Sequence, residues 1–152
     1  MAEVYLICDA SGSMVEDGRR FVVRNIVRTV DQYYRLHAEP PDLYLVYWSS
    51  ETEIAKWNPG QDFPEQLLAC AGSASGDSLI EALAEAPDGY FMLITDGYWT
   101  HETRRQVSSW SRSLPDGHLR VLKVGVDANP KIKGPSVFSG EDVLVALENW
   151  VR

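Results

Sequence analysis

The sequence has little cysteine and no long apolar run. Its two cysteines, Cys8 and Cys70, are too few for a disulfide framework or a thiolate metal site. No apolar run approaches the ~18 residues of a membrane-spanning helix, so no membrane contact is expected. The first residues include an acidic side chain and lack the basic region of a signal peptide. We therefore expect a cytoplasmic protein in which Cys8 is a buried thiol.

Basic residues are also scarce. The chain has 14 Lys and Arg against 22 Asp and Glu, which gives a formal net charge of -8. Because phosphate backbones favour concentrated positive charge, nucleic acid is not an expected partner. The basic clusters are predicted to lie on solvated surfaces: Arg19 with Arg20, Arg104 with Arg105, and Lys131 with Lys133. The acidic balance leaves a cation as a candidate ligand.

The apolar content, by contrast, is ample for a folded core. Of the 152 residues, 45% are hydrophobic, and the length predicts one domain over residues 1–152. Strands are predicted over residues 4–8, 43–48, 90–94 and 119–126, with an antiparallel edge strand over 52–57. Helices are predicted over 17–36, 78–86, 101–113 and 140–151, with Ser139 and Asp142 as a capping box. This alternation predicts a doubly wound α/β fold with a mostly parallel, Rossmann-like sheet and helices on both faces.

Two of the predicted strands end in an aspartate followed by small residues. These segments are Asp9-Ala-Ser11-Gly-Ser13 and Thr95-Asp96-Gly97. In an open α/β sheet, ligands bind outside the carboxyl ends of the strands, where the winding direction reverses. Neighbouring strands lie about 5 Å apart, so both carboxylates could reach one ion. Such hard oxygen ligands, with further hydroxyls over residues 72–77, favour Mg²⁺ or Ca²⁺ over soft metals.

These motifs resemble those of the von Willebrand factor A domain. The segment Asp9-Ala-Ser11-Gly-Ser13 matches the DxSxS signature of that family, and Ile94-Thr95-Asp96-Gly97 resembles its later TDG motif. Residues 72–79 resemble its GTxTGxAL stretch, and residues 45–50 resemble its second strand with an aromatic-Ser-Ser ending. The resemblance covers nearly the whole chain, in the same order. The short interval between Val126 and Ser139 departs from the family, and there we expect a trimmed crossover.

The resemblance implies a metal-ion-dependent adhesion site. Its ligands would be Asp9, Ser11, Ser13, Ser73 and Asp96. The implied ion is Mg²⁺, with Mn²⁺ or Ca²⁺ as alternatives. Ser73 would replace the threonine of the family, and Ser75 could compete for that role.

The function that this family implies is binding without a reaction. The ion would coordinate an Asp or Glu of a partner protein, and an adaptor role beside an AAA+ ATPase, kinase or phosphatase is expected. Tyr98, Trp99 and Trp48, with Ser75, would form a partner-binding rim, because aromatic side chains are typical interface anchors. The alternative for these aromatics is packing beneath the helix at 101–113.

Two other functions stay open. A scaffold with a degenerate metal site, weakened at Ser73, could bind its partner elsewhere. A Mg²⁺-dependent phosphatase or hydrolase is less favoured. The segment Gly72-Ser-Ala-Ser-Gly76 has alanine where a nucleophile elbow requires serine, and the sequence has no Walker loop or GxGxxG turn. We expect no enzyme.

Overall fold

One six-stranded sheet runs through the molecule. The structure, a computed structural model, describes residues 2–151. The strands are β1 (Glu3–Asp9), β2 (Asp42–Trp48), β3 (Thr52–Lys56), β4 (Tyr90–Thr95), β5 (Leu119–Lys123) and β6 (Val137–Ser139). Their order in the sheet is β3-β2-β1-β4-β5-β6, and every pair is parallel except β2 with β3. The predicted fold class, with its antiparallel edge strand, is confirmed.

Helices cover both faces of this sheet. They are α1 (Arg19–Arg35), α2 (Gly76–Leu83), α3 (His101–Ser113) and α4 (Val143–Leu147), with 3-10 turns at Gly12–Gly18, Glu65–Leu68 and Gly140–Asp142. Alternate residues of β1 point to opposite faces, as the pleat of a strand requires. Leu6 packs in the core shared with α1 and α4, and Ile7 packs in the core shared with α2 and α3.

Helix α1 forms because its apolar residues recur at helical spacing. Val23, Ile26, Val27, Val30 and Tyr34 are all buried against the sheet. The helix begins at Arg19, two residues later than predicted. The preceding Gly12–Gly18 segment is interrupted by non-helical backbone and ends in left-handed Gly18.

The C-terminal part of the fold differs from the prediction in several places. The short strand β6 (Val137–Ser139) was not predicted. Strand β5 stops at Lys123 instead of Val126. The predicted helix over 140–151 is a 3-10 turn followed by only five residues of α4. The apolar spacing continues to Trp150, but Trp150 lies in a turn. Its indole N–H donates to the Gly117 carbonyl at 2.9 Å. The predicted capping box is also absent, because Ser139 accepts from Glu141 and Asp142 provides no side-chain cap.

The crossover from β5 to β6 is trimmed, as expected. Within the described chain, residues 124–136 contain no helix or strand, and they pass beside the end of β4. Strand β1 lies between β2 and β4, so the chain winds one way to β2 and later the other way to β4. The loops after β1 and β4 therefore separate at the point where this fold class binds ligands. No helix in residues 2–151 is long and apolar enough to cross a membrane.

Candidate metal centre

Asp9 lies at the end of β1 and is almost fully buried. Its Oδ1 accepts hydrogen bonds from the Ser11 backbone N–H at 2.9 Å and from the Ser11 hydroxyl at 2.6 Å. Burial raises the pKa of the Asp9 carboxyl, and the hydrogen bonds from Ser11 and Thr95 oppose that rise. The loop therefore folds back on its own carboxylate. With its hydrogen donated to Asp9, the Ser11 oxygen keeps its lone pairs for another ligand.

Thr95, the last residue of β4, fixes the second oxygen of Asp9. The Thr95 hydroxyl accepts from the Gly97 N–H and from the Trp99 indole N–H, each at 3.0 Å. A hydroxyl has two lone pairs and one hydrogen, so these two donors leave the hydrogen for Asp9 Oδ2, 2.5 Å away. Strand ends β1 and β4 are joined by this bond. This bond therefore fixes the orientation of the Asp9 carboxylate from the buried side of the candidate site.

The loop over residues 70–75 lies alongside the loop that follows β1. Gly12 donates its N–H to the Gly72 carbonyl at 2.9 Å. Ser73 is exposed, and its backbone N–H contacts the Ser50 hydroxyl at 3.4 Å. Ser75 caps α2 by accepting from the Ser78 N–H at 3.2 Å. The Ser75 hydroxyl is therefore already used as a helix cap. Ser73 is the hydroxyl of this loop that is more available to bind an ion.

Asp96, directly after β4, is fully buried and engaged on both oxygens. Its Oδ1 accepts from the Tyr98 backbone N–H at 3.0 Å. Its Oδ2 accepts from Nη1 of Arg19, also at 3.0 Å. The predicted pair Asp9 and Asp96 is thus brought to neighbouring strand ends. Asp96, however, already faces a positive charge from the protein itself.

Arg19 is 1% exposed, so its predicted place on a solvated surface is wrong. Nη1 also donates to the Ser13 carbonyl at 3.0 Å, and Nη2 donates to Asp127 Oδ1 at 2.5 Å. The hydrogen bond from Arg19 lowers the pKa of the exposed Asp127 carboxyl. Burial acts to lower the pKa of Arg19, but Asp127 and Asp96 raise it overall. This guanidinium links α1, the turn after β4 and the loop after β5.

The three predicted rim aromatics have different environments. Trp48 is 0% exposed and donates its indole N–H to the Ser75 carbonyl at 2.8 Å, so it belongs to the core and not to the rim. Trp99 is half-buried and packs edge-on against Trp48, with ring centroids 5.6 Å apart. Tyr98 is 48% exposed and reaches the Asp127 carbonyl with its hydroxyl. Tyr98 and part of Trp99 remain as exposed aromatic surface beside the site.

Solved structures share this fold over most of the chain. The manganese-loaded Plasmodium vivax TRAP protein superposes with a TM-score of 0.66 over 99% of this chain and 73% of that one, at 14% identity. A von Willebrand factor type A protein from Catenulispora acidiphila gives a TM-score of 0.54 over 86% of this chain and 34% of that one, at 18% identity. The chain has the von Willebrand factor A fold.

A third structure with this fold contains a metal ion. Proximal thread matrix protein 1 from the mussel byssus, with a zinc-occupied MIDAS motif, gives a TM-score of 0.59 at 11% identity. It covers 95% of this chain and 44% of that one. No family model and no curated protein matches the chain. At these identities the von Willebrand factor A fold is shown, and the metal site has to be judged from its own residues.

The donor set fits a hard divalent ion. The Ser11 and Ser13 hydroxyl oxygens are 3.5 Å apart. Two oxygens at right angles around an ion are about 3 Å apart for Mg²⁺ and about 3.3–3.7 Å apart for Ca²⁺, given their usual ligand distances. Residues 2–151 contain no group of three His, Cys, Asp or Glu able to hold a metal, so an ion would depend on these hydroxyls. The separation of the two serine oxygens thus suits Ca²⁺ as it stands, and Mg²⁺ would draw them about 0.5 Å closer.

Three residues of the site were not predicted as site residues. Thr95 had a signal, because a hydroxyl ends a strand that is otherwise apolar. Arg19 had none, since it stands beside Arg20 at the polar start of a helix. Asp127 lies in the segment that the sequence assigned to the end of a strand and the start of a crossover. Its pairing with Arg19 depends on how the loop after β5 folds.

Proposed function

We propose that this chain is a divalent-cation-dependent protein-binding module. The ion, Mg²⁺ in the first instance with Mn²⁺ or Ca²⁺ as alternatives, would be held by Asp9, Ser11, Ser13, Ser73 and Asp96. The positively charged ion would bind a carboxylate of the partner. The observation that carries this proposal is the convergence of Asp9, Ser11 and Asp96 at the reversal point of the sheet.

The charges around the site support an acidic partner. Asp9 is ionised only against the cost of burial, and Asp96 is shared with Arg19. A divalent ion held by hydroxyls and by incompletely available carboxylates stays electron-poor. Such an ion favours a further negatively charged oxygen as a ligand. Charge-assisted contacts of this kind are strong where little water is present.

The surface beside the site supports a protein partner. Tyr98, Val15 and Val126 are large exposed side chains on loops at the carboxyl edge of the sheet. Exposed apolar and aromatic side chains around a polar centre are typical of interfaces. We propose that this edge meets the partner and that the module acts as an adaptor in a cytoplasmic complex, for example with an AAA+ ATPase, kinase or phosphatase.

Calorimetric titration with Mg²⁺, Mn²⁺ and Ca²⁺ tests the cation site. Wild type should bind at least one of these ions, and Asp9→Ala and Ser13→Ala should bind it at least about tenfold more weakly. Asp88→Ala is the matched control, because Asp88 is exposed at the opposite end of the sheet, just before β4. Circular dichroism checks that each variant is folded. Equal heats from wild type and folded Asp9→Ala would refute the site.

A metal-independent scaffold is the second candidate, favoured by the bond from Arg19 to Asp96. The two candidates differ in what a chelator does. Proteins captured from a lysate by the immobilised chain with Mg²⁺ should be released by excess chelator if the ion forms the bridge. Retention of the same proteins through the chelator wash would favour the scaffold.

The proposed role is binding without a reaction. Of the three histidines, His37 and His118 contact the carbonyls of Tyr33 and Gly89 and not the site residues, and His101 is exposed at the start of α3. A phosphatase and nuclease screen with Mg²⁺ and Mn²⁺ should therefore give no turnover above that of Asp9→Ala. Turnover that the Asp9 substitution abolishes would replace the binding proposal with an enzymatic one.

A further inference from the structure

The guanidinium of Arg19 is a fixed positive charge inside the candidate metal centre. We propose that Arg19 is a resident counter-cation of Asp96 and that a divalent ion binds only against its repulsion. The inference rests on the proposed cation site and adds what sets the affinity of that site. It makes this centre a weak cation site by construction, one that a carboxylate from outside would complete.

The position of one nitrogen carries the first step. Nη1 of Arg19 lies 3.0 Å from Asp96 Oδ2 and 3.0 Å from the Ser13 carbonyl oxygen. Ser13 and Asp96 belong to the two loops that would hold the ion. The same nitrogen therefore bridges both halves of the site. An ion bound between those loops would lie within several ångströms of a full positive charge.

Arg19 cannot easily move its charge away. Nη2 is held by Asp127 at 2.5 Å, and Nη1 also lies 3.5 Å from Glu16 Oε2. The backbone of Gly125 closes over the side chain so tightly that a Cβ there would be 2.8 Å from Nε. The Tyr98 ring covers the guanidinium at 5.9 Å. The charge is thus built into the fold, and it does not swing out when an ion arrives.

The consequence for the ion follows from the charge balance. Asp9 and Asp96 together offer two negative charges. Arg19, which is also paired with the exposed Asp127 and Glu16, offsets part of that charge from 3.0 Å away. Like charges a few ångströms apart in a poorly solvated setting repel strongly. The divalent ion therefore meets a site with less negative charge than its two aspartates imply. Removing the positive charge of Arg19 should raise the affinity for the ion.

A purely structural role for Arg19 predicts something else. If the guanidinium only ties the loops together, its removal loosens the site. Stability then falls, and ion affinity falls with it or stays unchanged. The two roles thus predict opposite signs for the change in affinity, so the affinity of folded variants separates them.

The experiment compares Mn²⁺ affinity in wild type, Arg19→Lys and Arg19→Gln, by calorimetry and by the loss of the free-Mn²⁺ paramagnetic resonance signal. Arg19→Gln should bind Mn²⁺ about tenfold more tightly than wild type, because one full charge is removed beside the ion. Arg19→Lys should stay within about twofold of wild type, because lysine keeps the positive charge beside Asp96.

Arg28→Gln is the matched control for the change in net charge. Arg28 is exposed on the same helix, more than two turns beyond Arg19. Its affinity for Mn²⁺ should stay within about twofold of wild type, because screening weakens charges at that distance. A gain in Arg28→Gln as large as that in Arg19→Gln would overturn the inference.

The remaining outcomes separate the inference from the function on which it rests. If wild type binds Mn²⁺ and folded Arg19→Gln binds it equally or more weakly, the inference fails and the cation site stands. If neither folded protein binds, both fail. Binding by Arg19→Gln alone would support the inference and show that Arg19 keeps the wild-type centre empty. Should Arg19→Gln not fold, Arg19→Met, which also removes the charge and keeps a long side chain, decides, and an affinity equal to or below wild type overturns the inference.

Discussion

The Thr95 hydroxyl oxygen and Oδ2 of Asp9 are 2.5 Å apart, and the threonine is the donor. Both residues end strands that are neighbours in the sheet, and both are buried. The bond therefore sets the orientation of the first candidate metal ligand from a position that no solvent reaches.

Replacing Thr95 with valine should destabilise the protein strongly. Valine has the shape of threonine, but it leaves Asp9 Oδ2 without its donor and leaves the Gly97 and Trp99 N–H groups without their acceptor. Buried polar groups left unpaired cost about 1–3 kcal/mol each, so we expect a loss of about 3 kcal/mol in the free energy of unfolding. Urea denaturation measures the loss, and Thr95→Ser, which keeps the hydroxyl, is the control. A Thr95→Val protein as stable as Thr95→Ser would contradict this account.

Asp127 should give the protein a stability term that acid removes. Arg19 lowers its pKa in the folded state below the ordinary value of about 3.9. The folded state thus binds fewer protons than the unfolded one as the pH falls past that value. The stabilisation is complete above about pH 5 and is lost progressively as the pH falls through the unfolded pKa and then the folded pKa.

Urea unfolding of wild type and Asp127→Asn over pH 2.5–7 tests this term. Wild type should be the more stable at pH 7, and the difference should shrink below about pH 5. The other carboxylates titrate in both proteins and cancel in the comparison. A difference that stays constant with pH would show that Asp127 keeps its ordinary pKa.

Substituting Trp48 should mainly reduce stability, whereas substituting Tyr98 should mainly reduce partner binding. Trp48→Ala removes a fully buried ring and should cost about 3–5 kcal/mol of unfolding free energy. Tyr98→Ala acts on a half-exposed side chain and should cost about 1 kcal/mol or less. Thermal unfolding measures the stability of each variant, and a pull-down measures how much partner each variant binds. Loss of partner with retained stability is expected for Tyr98→Ala and would be unexpected for any folded Trp48 variant.

Gly125→Ala tests how tightly the loop after β5 encloses Arg19. Gly125 has φ +98, and its added Cβ would lie 2.8 Å from Nε of a side chain that three carboxylates hold in place. Gly117→Ala is the control, because Gly117 has φ +78 and nothing within 4 Å of its Cβ position. The control should cost about 1 kcal/mol for its left-handed backbone. Gly125→Ala should cost about 1–3 kcal/mol more, from overpacking. Equal losses of stability in the two variants would mean that the Arg19 side chain moves aside without cost.

The sequence predicts the central strands of the sheet well because those strands are largely apolar. Runs such as Tyr90–Ile94 have little alternative to a strand buried on both faces, and the aspartates that end them mark the edge where ligands bind. Helix α3 is predicted at its exact bounds, because Thr100 caps it and its buried residues recur at helical spacing.

The remainder depends on contacts between distant parts of the chain. The spacing of Leu147 and Trp150 suits a helix, but Trp150 is fixed by the Gly117 carbonyl, which no local pattern reveals. Trp48 stands at a strand end, where an exposed residue is expected, yet it is fully buried in the core shared with α2 and α3. Arg19 is polar and next to another arginine, and its burial depends on Asp127 and Gly125 folding over it.

The missing helix between β5 and β6 changes what holds that part of the molecule. Residues 124–136 lack a regular element. Val124 packs in the core and Ile132 packs against it, but several polar ties of the segment run to the site. Asn129 donates to the Asp96 and Gly97 carbonyls, and Asp127 accepts from Arg19. A segment held in large part by hydrogen bonds to one place loosens when that place opens. In hydrogen exchange, the amides of this loop and those of the turn after β4 should therefore form one cooperative unit, less stable than the central strands. The candidate site is, in this sense, the anchor of its own neighbouring loop.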